Sequence, residues 1–142
     1  MLRRMGRKIG SVVAGLLVGA LVIFGVEAIV GLLYPMPVGM NPQDPLAFNA
    51  YLATLPPMAF VLVLLGHGLG SFVGAGVATL VARRESLWPA MIVGGLATIA
   101  GIVNLVTVPH PLWFNIVDGL IYLPLAYLAA RLLQAPSTPA AR

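Results

Sequence analysis

The chain has 142 residues, 60% of them hydrophobic and 8% charged, with a mean hydropathy of +1.00. Ordinary domains carry about 25% charged residues, so this composition excludes a soluble fold that must coat its core with polar surface. The net charge of +4 does not signal nucleic acid, because the basic residues flank apolar runs without the aromatic or loop context that bases require, and zero cysteines exclude disulfides, thiolate metal sites and a cysteine nucleophile.

Four apolar runs are long enough to cross hydrocarbon, which takes about 20 helical residues. Ile9–Leu33 is the first. Its basic start and Val26-Glu27-Ala28 resemble a signal peptide, but the apolar stretch exceeds the usual ~7–15 residues and continues past the cleavage-like site, so a retained helix is expected. Tyr34-Pro35-Met36-Pro37 ends it. In the connection that follows, Asp44 suits a helix N-cap and Pro45 a first helical position. Phe48, Tyr51, Leu52 and Leu55 then recur at helical spacing, which predicts a short amphipathic helix over Pro45–Leu55, lying in the outer interface or lidding the bundle.

The second and third long helices are expected over Met58–Ala82 and Trp88–Val108, opened by Pro56-Pro57 and Pro89, where a missing N–H costs little. Pro109-His110-Pro111 forces a tight turn with His110 as a solvated residue. The fourth helix spans Leu112–Leu133, and Pro124 within it leaves the Leu120 carbonyl without its donor, which predicts a kink. Residues 1–135 read as one transmembrane domain and 136–142 as a mobile tail. Pro-x-Pro recurs at Pro35/Pro37 and Pro109/Pro111, a faint internal echo.

All eight basic residues sit at alternate junctions: Arg3, Arg4, Arg7 and Lys8, then Arg83 and Arg84, then Arg131 and Arg142. The other two connections carry none. The positive-inside rule therefore predicts both termini in the cytoplasm. The expected fold is all-α, an integral-membrane antiparallel four-helix bundle, N-in/C-in, with the lipid bilayer as its surroundings.

Glu27, His67, Asn104, Asn115, Asp118 and Tyr122 form the candidate site, a polar cluster drawn from all four long helices. Rising about 1.5 Å per residue from the proline-marked ends, Glu27, His67, Asn104 and Asp118 lie about 8–15 Å deep, in the outer half of the bilayer. A carboxylate there costs about 2.5–3.5 kcal/mol unless protonated or paired, so Glu27 is expected neutral or bonded to His67, and Asp118 bonded to Asn115, Asn104 or Tyr122. Glu27, His67 and Asn104 each lie on a helix face with small residues, which mark where membrane helices approach, and Asp118 shares a face with Asn115 and Tyr122. Gly66, Gly70, Gly74 and Ala78, four apart, give the strongest packing signal, read as intramolecular with homodimerisation as the alternative.

No motif for catalysis, phosphate binding or metal ligation occurs, so no catalytic residue, cofactor or metal is expected. A metal site from Glu27, His67, Asp118 and His110 has suitable ligand types without diagnostic spacing. Glu27 with Leu33-Tyr34-Pro35-Met36-Pro37, Leu55-Pro56, His67-Gly68-Leu69-Gly70-Ser71-Phe72-Val73-Gly74 and Asn104 with Pro109-His110-Pro111-Leu112-Trp113 resemble the marks of small four-helix bacterial inner-membrane proteins of unassigned function. That resemblance implies a topology and a location in the bacterial inner membrane, and no activity. The chain is also superficially similar to small multidrug exporters, four-helix proteins with a glutamate in the first helix, but those are shorter, with minimal loops.

Three functions stay open: a structural or accessory membrane component; a proton-linked carrier or channel acting as a dimer; and a binding module for a lipid or quinone-like ligand. A homodimer or a membrane-protein partner is compatible with each. A water-filled cavity reaching Glu27 would favour the carrier, a dry apolar groove the binding module, and a fully packed network the structural role.

Overall fold

The computed structural model describes residues 2–84 and 86–134, with side chains described from residue 5 onward. The expected tail at 136–142, Arg142 and the side chains of Arg3 and Arg4 lie outside the described residues. Five helices make up the described chain: α1 (Leu2–Leu33), α2 (Pro45–Thr54), α3 (Pro57–Val81), α4 (Trp88–Thr107) and α5 (Leu112–Leu133). All but α2 are long and apolar enough to cross a membrane, with mean hydropathies from 1.6 to 2.6.

Prolines set the boundaries. Asp44 caps α2 through its carboxylate, which accepts from the Leu46 N–H at 3.0 Å, and Pro45 follows in the first turn. Pro57 and Pro89 occupy the first turns of α3 and α4, where they leave no helical donor missing. α5 runs unbroken through Pro124.

Two sequence expectations need correction. α1 begins at Leu2, well before Ile9, because Arg7 and Lys8 are good helix formers and no proline lies between Leu2 and Ile9, so that the helix continues through Gly6. The helix α2 is not amphipathic. Only Asn49 and Thr54 interrupt an otherwise apolar surface, none of its residues is buried, and Leu46 stands 82% exposed.

Helix α3 is central. It packs against α1, α4 and α5, and 56% of its apolar window is buried, against 11% for α1. Its composition makes this possible, since a helix flanked on three sides needs small residues on three sides. A Cβ on Gly74 would lie 2.6 Å from the Gly15 carbonyl oxygen, and one on Gly70 would lie 2.8 Å from that of Gly19. Gly66 receives Val26, and Ala78 faces Gly15. Contacts thus descend α3 as they climb α1. The four-residue series Gly66, Gly70, Gly74 and Ala78 serves α1, and Gly15 and Gly19, which face it from α1, are spaced four apart in the same way.

Toward α5, Gly68 meets Ile121 and Leu125, and Gly76 meets Leu133. Two apolar clusters bracket this contact: Ala75, Ala90, Ala126, Ala129 and Ala130 at one end, and Phe60, Leu64 and Phe114 at the other. The turn after α3 carries Arg83 and Arg84, both at φ 62°. Their N–H groups return to the Leu80 and Thr79 carbonyls at 2.9 Å.

Candidate functional site

His67 is the centre of the polar cluster because α3 is the centre of the packing. Its side chain is held from both nitrogens. Nδ1 lies 2.6 Å from Asp118 Oδ1, and Nε2 lies 3.3 Å from Glu27 Oε1. Asp118 is fully buried on α5. It also accepts from the Tyr122 hydroxyl, at 3.1 Å to Oδ1 and 3.2 Å to Oδ2, one turn along the same helix. With Tyr122 giving its only proton to Asp118, the Tyr122 oxygen is left to accept from His67 Nδ1–H at 2.9 Å. This pattern assigns the Nδ1 proton to the side facing Asp118 and leaves Nε2 turned to Glu27.

The surroundings fix this geometry. Tyr122 stacks on the imidazole with centroids 5.9 Å apart, and Phe114 meets it edge-on at 6.4 Å. Ser71, one turn along α3, donates to the Tyr122 backbone carbonyl at 2.8 Å and ties α3 to α5 at this level. Gly101 of α4 makes room for the Tyr122 ring, since a Cβ there would sit 2.6 Å from it.

Glu27 differs from its partners. Its side chain is 40% exposed while that of His67 is 5%, and its second oxygen has no described hydrogen bond. It stands at the junction of open spaces. A cavity of about 350 Å³ lies between α1 and α4, lined by Glu27, His67, Asn104, Tyr122 and the apolar Phe24 and Ala97. A narrow slot of about 150 Å³ continues it along Gly15, Gly19, Ala20, Gly70, Ala97 and Ala100, sharing walls at Ala20, Ile23, Ala97 and Ala100. On the other side Glu27 and Asn104 also line a chamber of about 330 Å³ beneath α2, walled by Tyr34, Phe48, Tyr51 and His110. The slot and the central cavity make a groove between α1 and α4, floored by α3, and the chamber adjoins it at Glu27 and Asn104.

The expected cluster thus divides. Glu27, His67, Asp118 and Tyr122 are joined by hydrogen bonds. Asn104 lines the groove with Glu27 without bonding to it. Asn115 stays outside, its Oδ1 buried with no partner, and Asp118 takes His67 and Tyr122 in place of either asparagine. Among the described residues no group of three His, Asp or Glu side chains is arranged to hold a metal ion. The reason is geometric: Glu27 and Asp118 address opposite nitrogens of one imidazole and cannot converge with it on a single ion.

His110 departs from its expected role as a solvated turn residue. It stacks on Phe114 with centroids 4.6 Å apart and planes 9° apart, and its Nδ1–H donates to the Val108 carbonyl at 2.8 Å. Burial pushes its pKa below the ordinary 6.5. Tyr34 and Tyr51 are joined by a hydrogen bond from the Tyr51 hydroxyl to the Tyr34 carbonyl. That bond fastens α2 over the chamber. The only signal for it in the sequence is that both tyrosines flank the proline-rich connection.

The chain matches no protein-family model, no curated protein and no solved structure.

Proposed function

We propose that the chain is a small integral protein of the bacterial inner membrane, an antiparallel four-helix bundle with both termini cytoplasmic, that binds a lipid-soluble ligand in the groove between α1 and α4. The observation that carries this reading is the half-exposed Glu27 facing a groove otherwise lined mainly by small and apolar side chains. A purely structural polar network would be packed shut, because an exposed carboxylate adds nothing to helix registry. Pockets for lipophilic molecules combine apolar walls with a few placed polar groups, and here those groups include Glu27 on the α1 wall and Asn104 on the α4 wall. The slot, lined by glycine, alanine and branched aliphatic residues, suits one hydrocarbon chain and runs alongside the bilayer core.

A filling mutation tests the reading. Ala97→Trp, on the wall common to the slot and the central cavity, should displace any bound lipophile without disturbing helix contacts. Native mass spectrometry of the detergent-purified protein is expected to show a retained lipophile in the parent and its loss in the variant. A parent with no bound species, or equal retention by both, overturns the proposal.

The line Asp118–His67–Glu27 favours a second reading, proton-linked carriage by a dimer, because it offers a proton three adjacent acceptors leading from the buried core to the groove. Reconstituted protein would then acidify vesicles under an imposed potential, and Glu27→Gln would abolish the flux. No flux above empty vesicles excludes it.

A further inference from the structure

We infer that α2 is a hinged lid, fixed at Leu55, latched by the Tyr51–Tyr34 hydrogen bond, and released to let the ligand pass between the outer side and the groove. This inference rests on the groove being a ligand site, as proposed above, and concerns the control of access to it.

The fastening of α2 is slight. None of its residues is buried, and among the described residues no other helix packs against it at backbone contact distance. A helix of 10 residues is marginal on its own, so the Asp44 cap and Pro45 start it rather than tertiary packing. Apart from bonds to its own caps, the Tyr51 hydroxyl makes the one described hydrogen bond from α2 to another part of the chain. Its acceptor is free because α1 stops at Leu33, and Pro35 and Pro37 carry no N–H to occupy the Tyr34 carbonyl. The two ends of α2 differ. Leu55 packs on the cluster of Phe60, Leu64 and Phe114 and leads through Pro56 into α3, which fixes that end. At the other end, the described hydrogen bonds of residues 35–44 stay within the connection and the first turn of α2, as from the Met40 N–H to the Pro37 carbonyl at 3.1 Å. Such a segment can follow a swinging helix.

The surface of α2 suits two seats. A helix that keeps one seat needs one apolar face with polar residues opposite, whereas here only Asn49 and Thr54 interrupt an apolar surface. When the lid is closed, Phe48, Tyr51 and Leu52 roof the chamber of about 330 Å³. A second space, of about 270 Å³, is lined by Leu52 and Ala53 of α2 and by Pro109 and His110 of the turn between α4 and α5. With room on both flanks, α2 is not wedged in place. Released, it can lie against the outer leaflet without burying a charge, because Asp44 at its N-cap is the one charged residue between Tyr34 and Pro57. An apolar surface on every side is what a helix moving between a chamber and a leaflet requires. The chamber adjoins the groove at Glu27 and Asn104, so lifting α2 uncovers a way in. Weakly held segments of this kind are the ones from which lids are drawn.

Removing the latch alone tests this, since Tyr51→Phe deletes the hydroxyl and keeps the ring. In a chain without native cysteine, Val63→Cys places a thiol on the chamber wall and Asn49→Cys places one on the exposed surface of α2. A bulky stilbene-disulfonate maleimide is added to the purified protein in maltoside micelles. With Tyr51→Phe, position 63 is expected to react about fivefold faster and position 49 at an unchanged rate, with the thermal midpoint near the parental one. An unchanged rate at position 63, or a midpoint lowered by several degrees, overturns the lid, because the bond then serves only the fold. Passage of a ligand is read separately with dodecanol, a neutral single-chain probe. Protein loaded with dodecanol is diluted into empty micelles, and the bound fraction is followed by native mass spectrometry. Tyr51→Phe should release the probe about threefold faster. Faster labelling with unchanged release overturns the lid as the route of the ligand. If neither protein binds dodecanol and no lipophile is retained on purification, the groove reading itself fails, while the labelling rates still decide whether α2 moves.

Discussion

Asp118 shows how much one buried side chain organises here. It accepts from both His67 and Tyr122, so Asp118→Ala strands two buried donors, at about 1–3 kcal/mol for each unsatisfied group. Asp118→Asn keeps an acceptor and should lose less. Denaturant or thermal unfolding in detergent would show the order parent, Asn, Ala, and equal stability of the two variants would contradict the assigned bonds. His110 makes a separate prediction about pH. Its folded pKa lies below the ordinary 6.5, so the folded state binds fewer protons than the unfolded one. Its contribution to stability is whole above pH 6.5 and is lost as the pH falls through the folded value. His110→Phe preserves stacking on Phe114 but cannot titrate. The parent should lose more stability on acidification than the variant, and parallel profiles would refute it. Sequence depth alone brought Glu27, His67, Asn104 and Asp118 to one level. What it could not supply was azimuth, the direction each side chain takes around its helix. Asn115 lies three residues from Asp118, which is near in height, yet the bonds to His67 are decided by a rotation that composition does not encode.

At the scale of the elements, close approach of α1 and α3 depends on glycine. Gly74→Leu would drive a side chain into the Gly15 backbone, and overpacking of this kind costs about 1–3 kcal/mol. Gly39 is a poor control, because its φ of +83° already disfavours any side chain. Gly25 on α1 is better, since a Cβ added there would meet nothing within 4 Å. Gly25→Leu should leave the thermal midpoint near the parental value while Gly74→Leu lowers it by several degrees, and indistinguishable variants would disprove the contact. Proline and length made the long helices readable to within a few residues, apart from the N-terminal extension of α1. The character of α2 was misread because Phe48, Tyr51, Leu52 and Leu55 stand at helical spacing, while the face opposite them is also largely apolar. Spacing locates a stripe only when something polar borders it.

For the whole molecule, the testable claim is orientation. The chain has no cysteine, so single cysteines introduced at Asp44 and at Ser86 can be labelled without background. Under the proposed topology, an impermeant reagent reaches position 44 from outside intact spheroplasts and position 86 only after the membrane is opened. The reverse pattern would invert the bundle. The turn joining α3 and α4 gives this a further side. Arg83 and Arg84 both hold a left-handed backbone conformation, which costs an L-residue about 1–2 kcal/mol that glycine would avoid. The finished fold would be more comfortable with glycine there, whereas a nascent chain choosing its direction of insertion gains from two cations at that junction. Under the proposed topology, folding and biogenesis therefore pull in opposite directions on the same two residues. Arg83→Gly combined with Arg84→Gly should yield protein that unfolds at a higher temperature once purified, yet is made in lower amount or in mixed orientation. Lower thermal stability of the double variant would show that the arginines are held by contacts that outweigh their backbone strain.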